Sequence, residues 1–360
     1  LLPQISASLD YSRGHGSRGG PQFVTNEDGS QSLVNVTSSS HDYSRTLSGQ
    51  LNQSLLDLGK WTSLKAARAT AKAGDASYTA AEQDLLIRVA TAYFDVLTAE
   101  DALKFAQANE QALNRQMEQA QQRFEVGLSA ITDVNDAKAQ HDTSVANVIT
   151  AQNTLDDNEE ALRQLTNKEP GTLKGLREKL PMDKPEPADP DEWVSVAVAQ
   201  NPTLHSYAQQ LEAAKANVQT ARSGHLPTLN GQVLYSKTPS WSDNSASSFN
   251  EAFHTNSERW STTVGLTLNV PLFSGGFTQS RVRQTIFNRD NAQDQFELQK
   301  RLVERSTRNS YRAVIAGASQ VEATGQAVVS AQSSLDATQA GYEVGTRTIV
   351  DVLISQQQLL

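Results

Sequence analysis

The residues that could do chemistry come first. Gly14 to Gly19, GHGSRG, has the spacing G-x-G-x-x-G and follows an alternating segment. That fingerprint binds a pyrophosphate only where the glycines open a helix, whose first amides face the phosphates. Here a polar stretch with Pro21 follows, so the segment is expected to be a loop. The six histidines, 15, 41, 141, 205, 225 and 254, are scattered, none at metal-ligand spacing. With no cysteine there is no thiolate site, disulfide or Cys nucleophile. The acids Asp156, Asp157, Glu159 and Glu160 fit a solvated helix face. No phosphate-loop or G-x-S-x-G segment occurs. The expectation is no enzyme, no cofactor and no metal. A net charge of -9 argues against a nucleic-acid partner.

Two turn segments remain. Residues 123–134 read RFEVGLSAITDV and residues 341–352 read GYEVGTRTIVDV, 218 residues apart. Gly127 and Gly345 sit where glycine stops a helix. Thr348-Ile-Val-Asp351 has the spacing of a capping box, and Asp133 is the repeat equivalent of Asp351. Capping accounts for both acids. It does not account for Arg347, whose counterpart is Ser129. A cation at a helix N-terminus is mildly unfavourable, so a carboxylate on the other hairpin is the natural partner for Arg347.

The elements that position these turns repeat as well. LPQISASLDYS (2–12) matches LPTLNGQVLYS (226–236), and LNQSLLDLGK (51–60) matches LNVPLFSGGF (268–277). This is an internal duplication with a period of roughly 220 residues, too long for a solenoid unit. Each half opens with alternation, as in Ile5, Ala7, Leu9 and Tyr11, which predicts a strand apolar on one side. Four strands of about ten residues are expected, with long polar loops over 13–44 and 236–260. The period then becomes helical. Residues 61–168 and 272–360 contain no proline and are rich in Ala, Gln, Leu and Glu. A helix over 60–126 would run on the order of 100 Å, a coiled-coil or tunnel wall.

The expected organisation is a first repeat over 1–168, with a strand hairpin at 2–56 and a helical hairpin at 60–168. An equatorial connector at 169–190 follows. The second repeat spans 191–360, with a helix at 191–223, a strand hairpin at 226–273 and a helical hairpin from 278. The opening strand lacks a counterpart of helix 191–223, and residue 360 falls within a helix, so a longer parent chain is expected. Hydrophobic residues make up 38% of the chain, lean for a compact globule of 360 residues. No run of 18 apolar residues exists, so no transmembrane helix is expected.

The two turn segments, with VVSAQSSLDATQAGY (328–342), GHLPTL (224–229) and ATAYFDVL (90–97), closely resemble the TolC family of outer-membrane channels. The resemblance covers all but the two hairpin loops and the connector. It implies an α+β membrane protein: a homotrimer with four strands per protomer in one twelve-stranded β-barrel, continuous with an α-helical coiled-coil tunnel through the periplasm. The implied function is an exit duct for efflux pumps or type I secretion, working with a periplasmic adaptor and an inner-membrane pump. Outer-membrane lipid would surround the barrel. The resemblance also implies a gate in which Arg347 bridges to Asp133 or Thr132 of the adjacent protomer and Tyr342 bonds Asp133 in its own. Asp351 would point into the pore. Ile354 stands where the family has a second acid, so the constriction should carry less charge. The alternative reading is a soluble periplasmic coiled-coil adaptor.

Overall fold

The structure, a computed structural model, describes residues 2–176, 184–246 and 249–359. The chain divides into two compact units. One comprises Leu1–Ala71 with Gln209–Asp294, the other Lys72–Ala208 with Gln295–Leu360.

The first unit carries an antiparallel sheet in the order β1-β2-β3-β4: β1 (Gln4–Thr25), β2 (Gln31–Leu56), β3 (Thr228–Ala246) and β4 (Phe249–Asn269). The strands are 22, 26, 19 and 21 residues long, about twice the expected length. Most of the stretches expected to be loops are strand, and GHGSRG lies inside β1 rather than in a loop. The reason is visible in the register. The ladder continues from Leu9↔Leu47 through Gly14↔Asp42 to Thr25↔Gln31 without a break. Beyond about Tyr11 the alternation persists but loses its apolar member, so the period-two signal fades while the pairing does not. Only the turn Asn26–Ser30 is left at the tip, closed by Gly29 N–H to Asn26 O at 3.0 Å with φ +83° at the glycine.

The sheet has two unlike faces. Ile5, Leu9, Leu47, Val264, Leu266 and Leu268 are exposed on one. The other presents Ser8, Ser12, Ser44, Ser48 and Thr46, joined across strands by hydroxyl contacts such as Ser8–Ser48 at 2.8 Å. Side chains on a strand alternate faces, so the apolar row has no room to hide within one chain. A continuous exposed apolar face on a barrel-type sheet is a lipid face. Two edges, β1 and β4, are unpaired among the described residues.

Helix α1 (Leu58–Glu125) follows β2 directly, and α5 (Phe277–Glu343) follows β4 after residues 270–276. Helix α1 has 68 residues, about 100 Å at 1.5 Å per residue. Helix α2 is Ile131–Thr166 and α6 Ile349–Leu359. The single helix expected over 191–223 is two, α3 (Pro190–Gln200) and α4 (Pro202–Ser223). Pro202 has no amide to donate and pushes Asn201 to an extended ψ of 118°; Asn201 Oδ1 then caps α4 by accepting from Leu204 N–H at 2.9 Å. No helix is long and apolar enough to cross a membrane, among the described residues.

In the first unit, Thr220 Oγ donates to Thr62 Oγ at 2.8 Å and ties α4 to the start of α1. A Cβ on Gly59 would lie 2.7 Å from Ser223 Oγ, so the close approach there requires glycine. In the second unit, α1 and α2 bury a seam of small and medium residues: Ala92, Val96, Ala99, Leu103, Leu155 and Leu162. Alanines at this seam let long helices run close together without a wide core. The described part of the connector is stitched back by Tyr93 Oη donating to Lys174 O at 2.6 Å and by Arg308 to Asp191 at 3.0 Å. Residues 177–183 of the expected connector lie outside the described residues.

Candidate functional site at the helical hairpin tips

Both hairpins turn by the same backbone device. In the first, Gly127 N–H donates to Phe124 O at 2.9 Å and Leu128 N–H to Arg123 O at 2.7 Å. In the second, Gly345 N–H donates to Tyr342 O at 3.1 Å and Thr346 N–H to Gly341 O at 2.8 Å. These are the paired bonds of a Schellman stop, with glycine in the left-handed position at φ +77° and +80°. The shared aromatic-Glu-Val-Gly is thus a helix-ending signal written twice.

The helices that restart differ. Thr348 and Asp351 form a reciprocal capping box on α6. Asp351 Oδ2 accepts from Thr348 N–H at 3.0 Å and Thr348 Oγ at 2.9 Å, and Asp351 N–H donates to Thr348 Oγ at 3.2 Å. In α2 the N-cap is Ala130, with no side-chain capping bond. The carboxylate of Asp133 makes no hydrogen bond or ion pair among the described residues, and neither does the side chain of neighbouring Thr132. The Asp351 carboxyl is held below the usual carboxylate range, first by the Thr348 amide, then by its hydroxyl and by the charge of Arg347.

Arg347 is exposed and forms no ion pair among the described residues. Its aliphatic stem runs past Gly341: a Cβ there would lie 2.7 Å from Arg347 Cγ. Tyr342 is buried with Leu113, Leu335, Ile349, Val352 and Leu353. The hydrogen bond expected from Tyr342 to Asp133 within one protomer is not formed, since Tyr342 Oη has no partner among the described residues. The ring is engaged otherwise: the guanidinium of Arg123 sits over it, 4.7 Å from its centroid, and Arg123 Nε is likewise buried and unpartnered. Ile354 is half exposed on α6.

Arg123 and Gly341 were missed in the sequence. Their signal was present. The first position of the repeated segment is Arg in one copy and Gly in the other, and the seventh is Ser in one and Arg in the other. Each copy thus carries one arginine, at opposite ends of its turn. The scattered histidines also conceal a relationship, because strand register sets His15, His41, Asp243 and His254 on one rung. Among the described residues no group of three or more His, Asp or Glu is placed to hold a metal ion.

Comparison with known proteins bears on this geometry. The model of the family described as outer membrane efflux protein matches residues 1–168 and 193–360. The chain belongs to the outer membrane efflux protein family. It is 39% identical over 356 residues to the outer membrane protein TolC of Escherichia coli, covering 98% of this chain and 68% of that protein. It is 29% identical over 322 residues to the alkaline protease secretion protein AprF of Pseudomonas aeruginosa, covering 88% of this chain and 64% of that protein. The fold matches the CmeC outer membrane channel of Campylobacter jejuni with a TM-score of 0.73 at 18% identity, over 100% of this chain and 72% of that one.

As an outer membrane efflux protein, the chain is a conduit rather than an enzyme. It serves efflux and secretion from the bacterial outer membrane and extends into the periplasm. The barrel architecture follows: a homotrimer in which the free edges of β1 and β4 meet those of neighbouring copies, four strands from each. The soluble adaptor alternative finds no support in this membership.

Proposed function

We propose that the hairpin tips form the gate of this channel-tunnel, closed by two kinds of contact. Between protomers, Arg347 on the tip of α5 and α6 bridges to Asp133 or Thr132 of the adjacent copy. Within a protomer, the Arg123–Tyr342 stack ties the α5 tip to α1. Asp351 places one carboxylate per protomer at the constriction. The observation that carries this reading is the mismatch within one chain: Arg347 and Asp133 are opposite charges on sister tips, and neither forms an ion pair or a side-chain hydrogen bond among the described residues.

The capping box and the pore role of Asp351 are compatible. Both side-chain capping bonds go to Oδ2, and Oδ1 makes none among the described residues. An ionised carboxylate with one free oxygen can cap a helix and still face a cation. The tips would open when a periplasmic adaptor, coupled to an inner-membrane pump, engages them. Adaptor and pump are the partners that an exit duct for efflux or secretion requires.

The test is conductance in planar bilayers. Arg347→Ser should raise single-channel conductance well above that of the parent, because a charge-assisted bond is worth about 1.5–3 kcal/mol and the trimer loses three copies together. Equal conductance for Arg347→Ser and the parent, with Asp133→Ala opened, would remove Arg347 from the latch.

A further inference from the structure

The apolar face of the barrel sheet changes chemistry along its length. Near the helices its rungs are aliphatic, as in Ile5–Leu51–Val233–Val264. Two rungs beyond Leu9–Leu47, the same face carries Arg13, Tyr43 and Trp241, each directly opposite the next. Arg45 belongs to the rung between. The four side chains form one stack. Arg13 Cζ lies 5.4 Å from the Tyr43 ring centroid, Tyr43 and Trp241 stack at 5.8 Å with planes 9° apart, and Arg45 Cζ lies 5.2 Å from the Trp241 centroid.

We propose that Arg13 and Arg45 each donate to a phosphate of a lipid headgroup in the outer leaflet, one such pair of arginines per protomer. Three observations carry the assignment. The first is position. Residues directly opposite share a face, so the stack lies on the lipid side, and Arg13 stands four residues past Leu9, about 13 Å along the strand. The end of the sheet remote from the helices is the end away from the periplasm. Aromatic rings at the rim of the apolar band mark the headgroup level.

The second is unspent charge. Lys237, on the same face, is paired with Glu258 at 2.5 Å. Neither Arg13 nor Arg45 has an ion pair among the described residues, although the chain as a whole is acidic at -9. The third is preorganisation. A guanidinium lying on a ring keeps its edge donors free, and that planar fork suits phosphate oxygens. The occupant is a phosphorylated lipid rather than free phosphate, because the arginine–aromatic stack is continuous with the hydrocarbon-facing rungs and an acyl chain can lie along them.

The experiment uses the full-length trimer in detergent, with a diphosphorylated glycolipid as probe and lipid retention read by native mass spectrometry. The dephosphorylated glycolipid and inorganic phosphate serve as comparators, and trimer dissociation temperature is read alongside. The parent should retain the phosphorylated lipid and gain thermal stability from it. Arg13→Gln combined with Arg45→Gln should lower retention by about an order of magnitude, the scale of one charge-assisted bond. Arg259→Gln, on the polar face opposite Thr238, should retain lipid like the parent. Equal retention by the double variant or of the dephosphorylated lipid would overturn the proposal. So would competition by inorganic phosphate at equimolar concentration, which would mean a free-anion site. Loss of trimer stability in the double variant without any lipid would overturn it too, by assigning the arginines to a protein contact.

Discussion

Arg123 and Tyr342 lie on different helical hairpins, and the guanidinium of the first covers the ring of the second at 4.7 Å. Both are at the last turn of a long helix, one turn before a glycine stop. Ring and cation therefore join the two tips of one protomer where the polypeptide is about to reverse. Tyr342 is buried and Arg123 half-buried, while Arg123 Nε and Tyr342 Oη, both out of contact with solvent, go unpartnered among the described residues. Buried polar atoms left unpaired weaken a contact, so this joint holds by its ring face and gives way more readily than an apolar seam.

A double-mutant cycle separates the ring from the hydroxyl. A cation–π contact with a half-buried cation is worth about 0.5–2 kcal/mol. Arg123→Gln should raise closed-state conductance, and it should do so as strongly in a Tyr342→Phe background, which keeps the ring. In a Tyr342→Leu background the added effect of Arg123→Gln should vanish. An undiminished effect in the Leu background would mean that Arg123 acts through some other partner.

Gly341 makes a second, opposite-signed prediction. It lies inside α5, where alanine is favoured over glycine by about 1 kcal/mol. Yet its added Cβ would meet Arg347 Cγ at 2.7 Å and Thr346 Oγ at 3.3 Å. Gly341→Ala should leave or raise thermal stability while displacing the Arg347 stem and raising conductance toward that of Arg347→Ser. A variant that is both as stable and as closed as the parent would show that Arg347 has room to spare.

The glycine stops were legible in the sequence because a backbone requirement selects one residue type. Arg347 stood out for a similar reason, since the repeat offered its own comparison at Ser129. Arg123 did not, because an arginine in a helix needs no explanation until its neighbour across the hairpin is known. Strand length was hidden for a different cause. A strand whose two faces are both polar, as from Ser12 to Gly20, keeps its ladder but loses the contrast that reveals a period of two. The aromatic–arginine stack was invisible for the same reason as the histidine rung: register between strands as distant as β2 and β3 is set by tertiary pairing, not by local spacing.

Gly127 and Gly345 predict a purely local cost. Around either, nothing lies within 4 Å of an added Cβ, so alanine would meet no neighbour. The penalty is the left-handed backbone alone, about 1–2 kcal/mol per site. Gly127→Ala and Gly345→Ala should each lower the melting temperature, and the asparagine variants should lower it less, since asparagine tolerates this conformation better. Equal losses for alanine and asparagine would mean that the turns are held by something other than their dihedral angles.

Asp351 gives the pH-dependent test. Its folded carboxyl is depressed below the ordinary aspartate value of about 3.9 by the Thr348 amide, the Thr348 hydroxyl and the charge of Arg347. A depressed folded pKa means that the cap's contribution is fully present above the unfolded value and is lost as pH falls through the folded one. The charge at the constriction follows the same window. Cation-over-anion selectivity should therefore persist to more acidic pH than an ordinary aspartate would allow. Thr348→Val removes the hydroxyl but keeps the amide, so the fall in selectivity should move to higher pH without disappearing. Asp351→Asn should abolish the titration and weaken block by a trivalent cation added from the periplasmic side by about tenfold or more, where about 1.4 kcal/mol is tenfold. Pure capping predicts otherwise: Asp351→Asn would shift stability slightly and leave both selectivity and block as in the parent. That outcome would withdraw Asp351 from the pore and leave it the start of α6 alone.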